Sequence, residues 1–228
     1  MNINPRRKRQ FYGLVTGTVF GSFLIVWLNL PSNEKYTMLG PMNTGHESLV
    51  CNECHTPARG TPGQQIQTNI NYLFGKRKSP VTFGLENVDN EKCLACHERP
   101  NDRHPVHRFE EPRFADARKN IMPTQCASCH NEHHGVRITI QNSGFCINCH
   151  KDTKLNNDPL DVPHHELIAQ NMWTTCLQCH DFHGNHIYNV AERMLDTIPI
   201  QVIRNYFNGG DSPYTKNKKY EPKRSIHQ

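Results

Sequence analysis

None of the ten cysteines in this 228-residue chain stands outside a Cys-x-x-Cys-His unit. Nothing is left over to build a framework of structural disulfides. Branched apolar residues are scarce beyond the N-terminal segment, while Asn, Pro and charged positions are abundant. A chain of that composition can hardly bury a sufficient core of its own. No small-x-small cleavage site follows the N-terminal apolar run, which reads Trp27-Leu28-Asn29-Leu30-Pro31-Ser32-Asn33 at its end. That absence argues for a segment that is retained. None of the five Cys-x-x-Cys units ends in Lys in place of His.

The five units are Cys51-Asn-Glu-Cys54-His55, Cys93-Leu-Ala-Cys96-His97, Cys126-Ala-Ser-Cys129-His130, Cys146-Ile-Asn-Cys149-His150 and Cys176-Leu-Gln-Cys179-His180. This is the pattern of covalent c-type haem attachment. Two thiols add to the two vinyl groups of one porphyrin, and the histidine that follows coordinates the iron from the same side. The sequence therefore predicts five covalently bound c-type haems, with His55, His97, His130, His150 and His180 as proximal ligands. Zinc is the rival for one couple, because Cys126/Cys129 and Cys146/Cys149 fall within four-cysteine spacing. A zinc ribbon has no need of His after the second cysteine, however, and here it follows every time.

Attachment of haem to such motifs takes place outside the cytoplasm, so an export signal is expected. Arg6, Arg7, Lys8 and Arg9 precede a charge-free stretch from Phe11 to Asn33, and about twenty apolar residues suffice to cross a bilayer. The reading is a cytoplasmic basic tag over 1–10 and a single transmembrane anchor over 11–30 in the bacterial inner (cytoplasmic) membrane. The bulk of the chain then lies in the periplasm by the positive-inside rule. Tyr12 and Trp27 fall near the two interfaces. Gly13, Gly17 and Gly21 recur every four residues, a smooth face that lets a partner helix approach closely; a membrane-embedded redox subunit is the expected partner.

Of the formal net charge of +5, four positive charges belong to the tag, which leaves +1 for the rest. Haem propionates add on the order of ten negative charges, so the assembled domain is expected to be acidic and to meet a periplasmic redox protein through that partner's basic patch. The sequence pI of 8.7 does not indicate a nucleic-acid surface. The fold expected is mostly α and irregular, organised around five haems. The periplasmic pentahaem domain runs over 31–188, and a C-terminal helix, interrupted by Pro199, with a mobile or docking tail over 189–228. That tail carries Lys216, Lys218, Lys219, Lys223 and Arg224. Residues 56–90 form a long loop that covers the first haem or contacts a partner.

Ten of the fifteen histidines lie outside the motifs: His46, His104, His107, His133, His134, His164, His165, His183, His186 and His227. Histidine is the usual second axial ligand in low-potential multihaem proteins, and Met122 and Met172 are alternatives read here as packing residues. A weak repeat helps to choose. Residues Met122 to His133 align without gaps to Met172 to His183, which suggests duplicated two-haem modules over 93–135 and 146–184 and makes His133 and His183 equivalent. His46, His107, His133, His164 and His183 are the distal candidates. His104 competes with His107, His134 with His133 and His165 with His164.

With its motifs, anchor and spare histidines, the chain resembles the membrane-anchored multihaem cytochromes c, the broad group that includes the NapC/NrfH quinol dehydrogenases and the pentahaem subunit of alternative complex III. It departs from the NapC/NrfH pattern in having five motifs rather than four and no evident first-haem methionine. The resemblance implies electron relay between a quinol-linked membrane donor complex of a respiratory chain and periplasmic partners, with no catalytic residues of its own. The alternative is a small multihaem reductase of a nitrogen oxyanion or hydroxylamine, which needs an iron with an open position.

Overall fold

The computed structural model describes residues 5–28 and 30–223; Arg224 and His227 lie outside them. Contacts divide the chain into two units, one ending at Pro41 and one beginning at Met42.

The first unit is built on α1 (Pro5–Leu28), an unbroken helix with no acidic residue in its first turn and no buried side chain. Its mean hydropathy reaches 1.7, which with 24 residues makes it long and apolar enough to cross a membrane. A signal sequence passes the same test. A Cβ built on Gly13, Gly17 or Gly21 meets nothing within 4 Å. A 3-10 turn (Pro31–Tyr36) follows, where the Asn33 side-chain amide donates to the Trp27 carbonyl at 2.8 Å and the Trp27 and Tyr36 rings lie 5.0 Å apart.

The second unit consists of short helices on long connections: α2 (Cys51–Cys54), α3 (Pro62–Leu73), α4 (Asn90–His97), α5 (Ala115–Ile121), α6 (Ile147–His150), α7 (His164–Ala169), α8 (Cys176–Cys179) and α9 (Ile200–Phe207). Among the described residues there is no strand; two isolated bridges join Pro57 to Leu85 and His186 to Lys218. The chain is thus mostly helical and irregular. Ten apolar side chains are buried among the described residues, too few to offset the cost of ordering a unit of this size. The principal cluster is Phe145, Leu177, Ile203 and Tyr214, with Phe182, Tyr188 and Ile198 packed on it.

That cluster draws on the C-terminal region. The expected helix is not interrupted by Pro199 but starts at it: the stretch before is irregular apart from a 3-10 turn (Met194–Asp196), and Pro199 serves as N-cap to α9, where proline lacks a donor but presets φ. Residues past Gly209, expected as a mobile or docking tail, are tied to the unit. Tyr214 is buried and its hydroxyl donates to the Leu177 carbonyl at 2.8 Å. The N–H of Lys219 donates to Asn185 and that of Lys223 to Cys96, both at 2.8 Å. The apolar anchor Tyr214 and these backbone bonds outweigh the solvation of the lysines.

Candidate haem sites

Each motif occupies a single helical turn. The N–H of the histidine donates back to the carbonyl of the first cysteine in four motifs: His55 to Cys51 and His180 to Cys176 at 2.8 Å, His130 to Cys126 and His150 to Cys146 at 2.9 Å. His97 closes α4 in the same register. Residues at i, i+3 and i+4 share one helical face, so the turn aims both thiols and the imidazole in one direction.

The structure sets a second histidine opposite each motif histidine. Ring centroids are 6.2 Å apart for His55 and His133, 5.8 Å for His97 and His46, and 6.2 Å for His130 and His183. They are 6.1 Å apart for His150 and His104 and for His180 and His164. Two imidazoles that bind one metal from opposite sides need about 6 Å, the sum of two metal–nitrogen bonds of about 2 Å and the half-width of each ring. Every pair joins one motif histidine to one outside the motifs. The residues present therefore fit five bis-histidine haems.

Of the sequence candidates, His46, His133, His164 and His183 each stand opposite a motif histidine. In the 98–110 loop that place is taken by His104 and not His107. The 3-10 turn Val106–Glu110 begins between them and leaves the His107 side exposed, while the His104 N–H is held by Asp102 at 2.8 Å. His134 and His165 are exposed. His186 is a half-buried structural residue: its Nδ1 donates to Asp181 at 2.8 Å and its Nε2 lies 3.2 Å from the Ser212 hydroxyl. Met122 and Met172 are exposed.

Most of the paired rings are fixed through Nδ1, which turns Nε2 toward the partner ring. Three of the added histidines donate to carboxylates: His46 to Glu132 at 2.6 Å, His164 to Asp158 at 2.9 Å and His183 to Asp102 at 2.9 Å. His104 donates instead to the Phe182 carbonyl. Among the motif histidines, His55 donates to the Glu86 carbonyl at 3.2 Å and His130 to that of Arg137 at 3.0 Å. Buried Asn43 positions Glu132 by donating its N–H to it at 3.2 Å, while its side-chain amide donates to Asn131 at 2.8 Å. Arg99 pairs with Asp102 at 3.0 Å, and its Nη2 lies 3.3 Å from His183 Nδ1.

Burial pushes His97, His104, His130 and His180 toward the neutral form, the one that binds metal. Burial, then the nearby His46 and Arg99 charges, brings His97 down to about 4. Burial likewise lowers His104 and His130. His46 goes up, because its hydrogen bond to Glu132 outweighs burial. Burial pushes Asp102 up, but the hydrogen bond and charge of His183, the His104 N–H and Arg99 together prevail and bring it down to about 2.

The cysteines group across motifs in a way that differs from the zinc spacing. Cys93 is pushed up and Cys126 brought down chiefly by each other, and Cys146 and Cys176 influence one another in the same way, so each couple lies close together. Cys126 and Cys146, which a ribbon would join, thus have different partners. Among the described residues no group of three or more His, Cys, Asp or Glu side chains converges to hold a bare metal ion.

The sequence reading weighed His104 against His107 and favoured His107; the carboxylates escaped it, because Glu132 and Asp102 are brought to His46 and His183 from more than eighty residues away.

A family model described as cytochrome c3 matches residues 77–151, the segment that holds the second, third and fourth motifs. No curated protein and no solved structure matches the chain. The match supports a multihaem c-type cytochrome with covalently bound c-type haem and electron transfer as its chemistry.

Proposed function

We propose that the chain is a single-pass pentahaem cytochrome c of the bacterial inner membrane that relays electrons from a quinol-linked membrane donor complex to a periplasmic redox protein. The observation that carries this reading is the set of five histidine pairs, each uniting one motif histidine with one from elsewhere. When bound, each haem supplies an iron that gains and loses one electron with both axial positions filled.

The chain's own residues do the rest. The ten motif cysteines would hold the haems through thioether links. His46, His104, His133, His164 and His183 would bind the irons together with the motif histidines, with His104 in place of His107. Glu132, Asp158 and Asp102 hold three of these rings in one tautomer and orientation. Cys93 and Cys126, and Cys146 and Cys176, are near enough to shift each other's ionisation, so two couples of attachment points are neighbours, which supports close spacing along a relay. On this reading α1 stays in the bilayer, and its Gly13, Gly17 and Gly21 face receives a helix of the donor subunit.

The test is made on the full chain matured by a host with cytochrome c assembly machinery. Intact mass is expected to show five haems, and magnetic spectroscopy five low-spin irons; four haems or fewer at full maturation overturns the stoichiometry. His104→Ala is expected to turn one iron high-spin while His107→Ala leaves all five low-spin, and the reverse result moves the ligand to His107. A high-spin iron in the unaltered protein that binds and turns over nitrite or hydroxylamine replaces the relay with a reductase.

A further inference from the structure

Helix α3 is turned inside out. Its polar side faces the protein: Gln65, buried, donates through Nε2 to the carbonyls of Ala58 and Gly60 at 3.1 Å and of Arg59 at 3.3 Å, and accepts from the Gly84 N–H at 3.1 Å. One turn on, the Asn69 amide exchanges two hydrogen bonds with the Val81 backbone, at 2.9 and 3.0 Å. The apolar side faces out. Ile66, Ile70 and Leu73, at the i, i+4, i+7 spacing of a single stripe, are 48%, 45% and 79% exposed, and Phe74 beyond them is 76% exposed. A helix whose polar face is consumed by the protein offers its apolar face to something else.

What that is follows from the charge beside it. Gly75, at φ 71°, ends the helix, and Lys76, Arg77 and Lys78 follow at once, all exposed. From Thr56 to Leu85 there is no acidic residue, and Arg59 adds a fourth cation. An apolar stripe bordered by cations matches a bilayer surface that contains anionic headgroups: the stripe enters the acyl boundary while the cations meet phosphates. We propose that α3 and the Lys76–Lys78 cluster form a second, interfacial membrane contact, lying on an anionic lipid surface. The proposal rests on the reading of α1 as a retained anchor. With the anchor in the same chain docking is intramolecular, so a contact too weak to hold a free protein suffices.

The experiment is hydrogen exchange by mass spectrometry on the full haem-loaded chain in three settings: nanodiscs of mixed phosphatidylglycerol and phosphatidylcholine, nanodiscs of phosphatidylcholine alone, and amphipol without a bilayer. Amides of residues 62–78 are expected to exchange on the order of tenfold more slowly in the anionic nanodisc than in amphipol, with an intermediate rate in the neutral one. The triple variant Lys76→Glu, Arg77→Glu, Lys78→Glu, whose changes are exposed and far from the motif turns in sequence, is expected to return the anionic rate toward the amphipol rate. Equal rates in all three settings overturn the proposal; equally slow rates assign the stripe to cover within the chain, equally fast ones to no cover. Slowing that appears only in the complex purified with its native subunits also overturns it, in favour of a protein partner. Failure of the anchor reading shows separately, as haem absorbance that does not co-elute with the nanodiscs.

Discussion

A histidine becomes an axial ligand through what its other nitrogen is doing. His183 and His104 illustrate the range, the first bonded to the Asp102 carboxylate and the second to a backbone carbonyl. An anionic acceptor makes an imidazole a stronger donor to iron and stabilises the oxidised metal, a neutral one less so. Asp102→Asn keeps the shape and removes the charge. It is expected to raise the potential of one haem of five, with haem content and low-spin state retained, as read by a redox titration and by the low-spin resonance of that iron. The Arg99 guanidinium, already paired with Asp102, tempers the effect, so Glu132→Gln at His46 is expected to give the larger rise. At this scale the motif residues are legible in sequence because covalent chemistry fixes their spacing. The choice between His104 and His107 is not, since it turns on where a 3-10 turn starts after Pro105.

Among the elements, the ones that carry chemistry are single turns, and α9 illustrates how they are held. Ile203 is completely buried, between Leu177 of the fifth motif's turn and Tyr214 of the C-terminal segment. Ile203→Ala is expected to cost about 2–4 kcal/mol, seen as a lower guanidinium midpoint for the haem-loaded protein with its absorption spectrum unaltered before the transition. The helix after Pro199 is legible from periodicity and from the missing proline donor, but the irregular stretch before it is not. For residues 210–223 the run of lysines leaves a mobile and a docking tail both open, and only the tertiary contacts of Tyr214 and Asn185 decide for docking. Helix α3 and its outward apolar stripe are hidden altogether, because residues 56–90 read as a long loop.

The whole molecule beyond residue 42 is poor in buried apolar area, a shortfall anticipated by composition alone. What composition does not give is the order of pairing. Sequence neighbours are seldom partners: His46 lies opposite His97, His55 opposite His133, His104 opposite His150 and His130 opposite His183, and only His164 and His180 fall within one interval between motifs. Two of these pairs join residues 93–135 to residues 146–184, and such long-range closures are beyond a reading that proceeds along the chain.

That order of pairing has a mechanical side. On the proposed reading each histidine pair closes on an iron and laces the polypeptide to itself, from a thioether-bound haem on one segment to a nitrogen on another. A protease cut in the exposed 76–80 segment crosses two laces, His46 to His97 and His55 to His133; a cut near Lys154 crosses one, His130 to His183. The halves are expected to travel together on a native gel and to part in detergent with heat, as metal–nitrogen bonds give way and thioether bonds do not. The protein would thus survive nicking in the manner of a laced boot with a torn upper: damaged in covalent continuity, intact in shape, and still able to conduct.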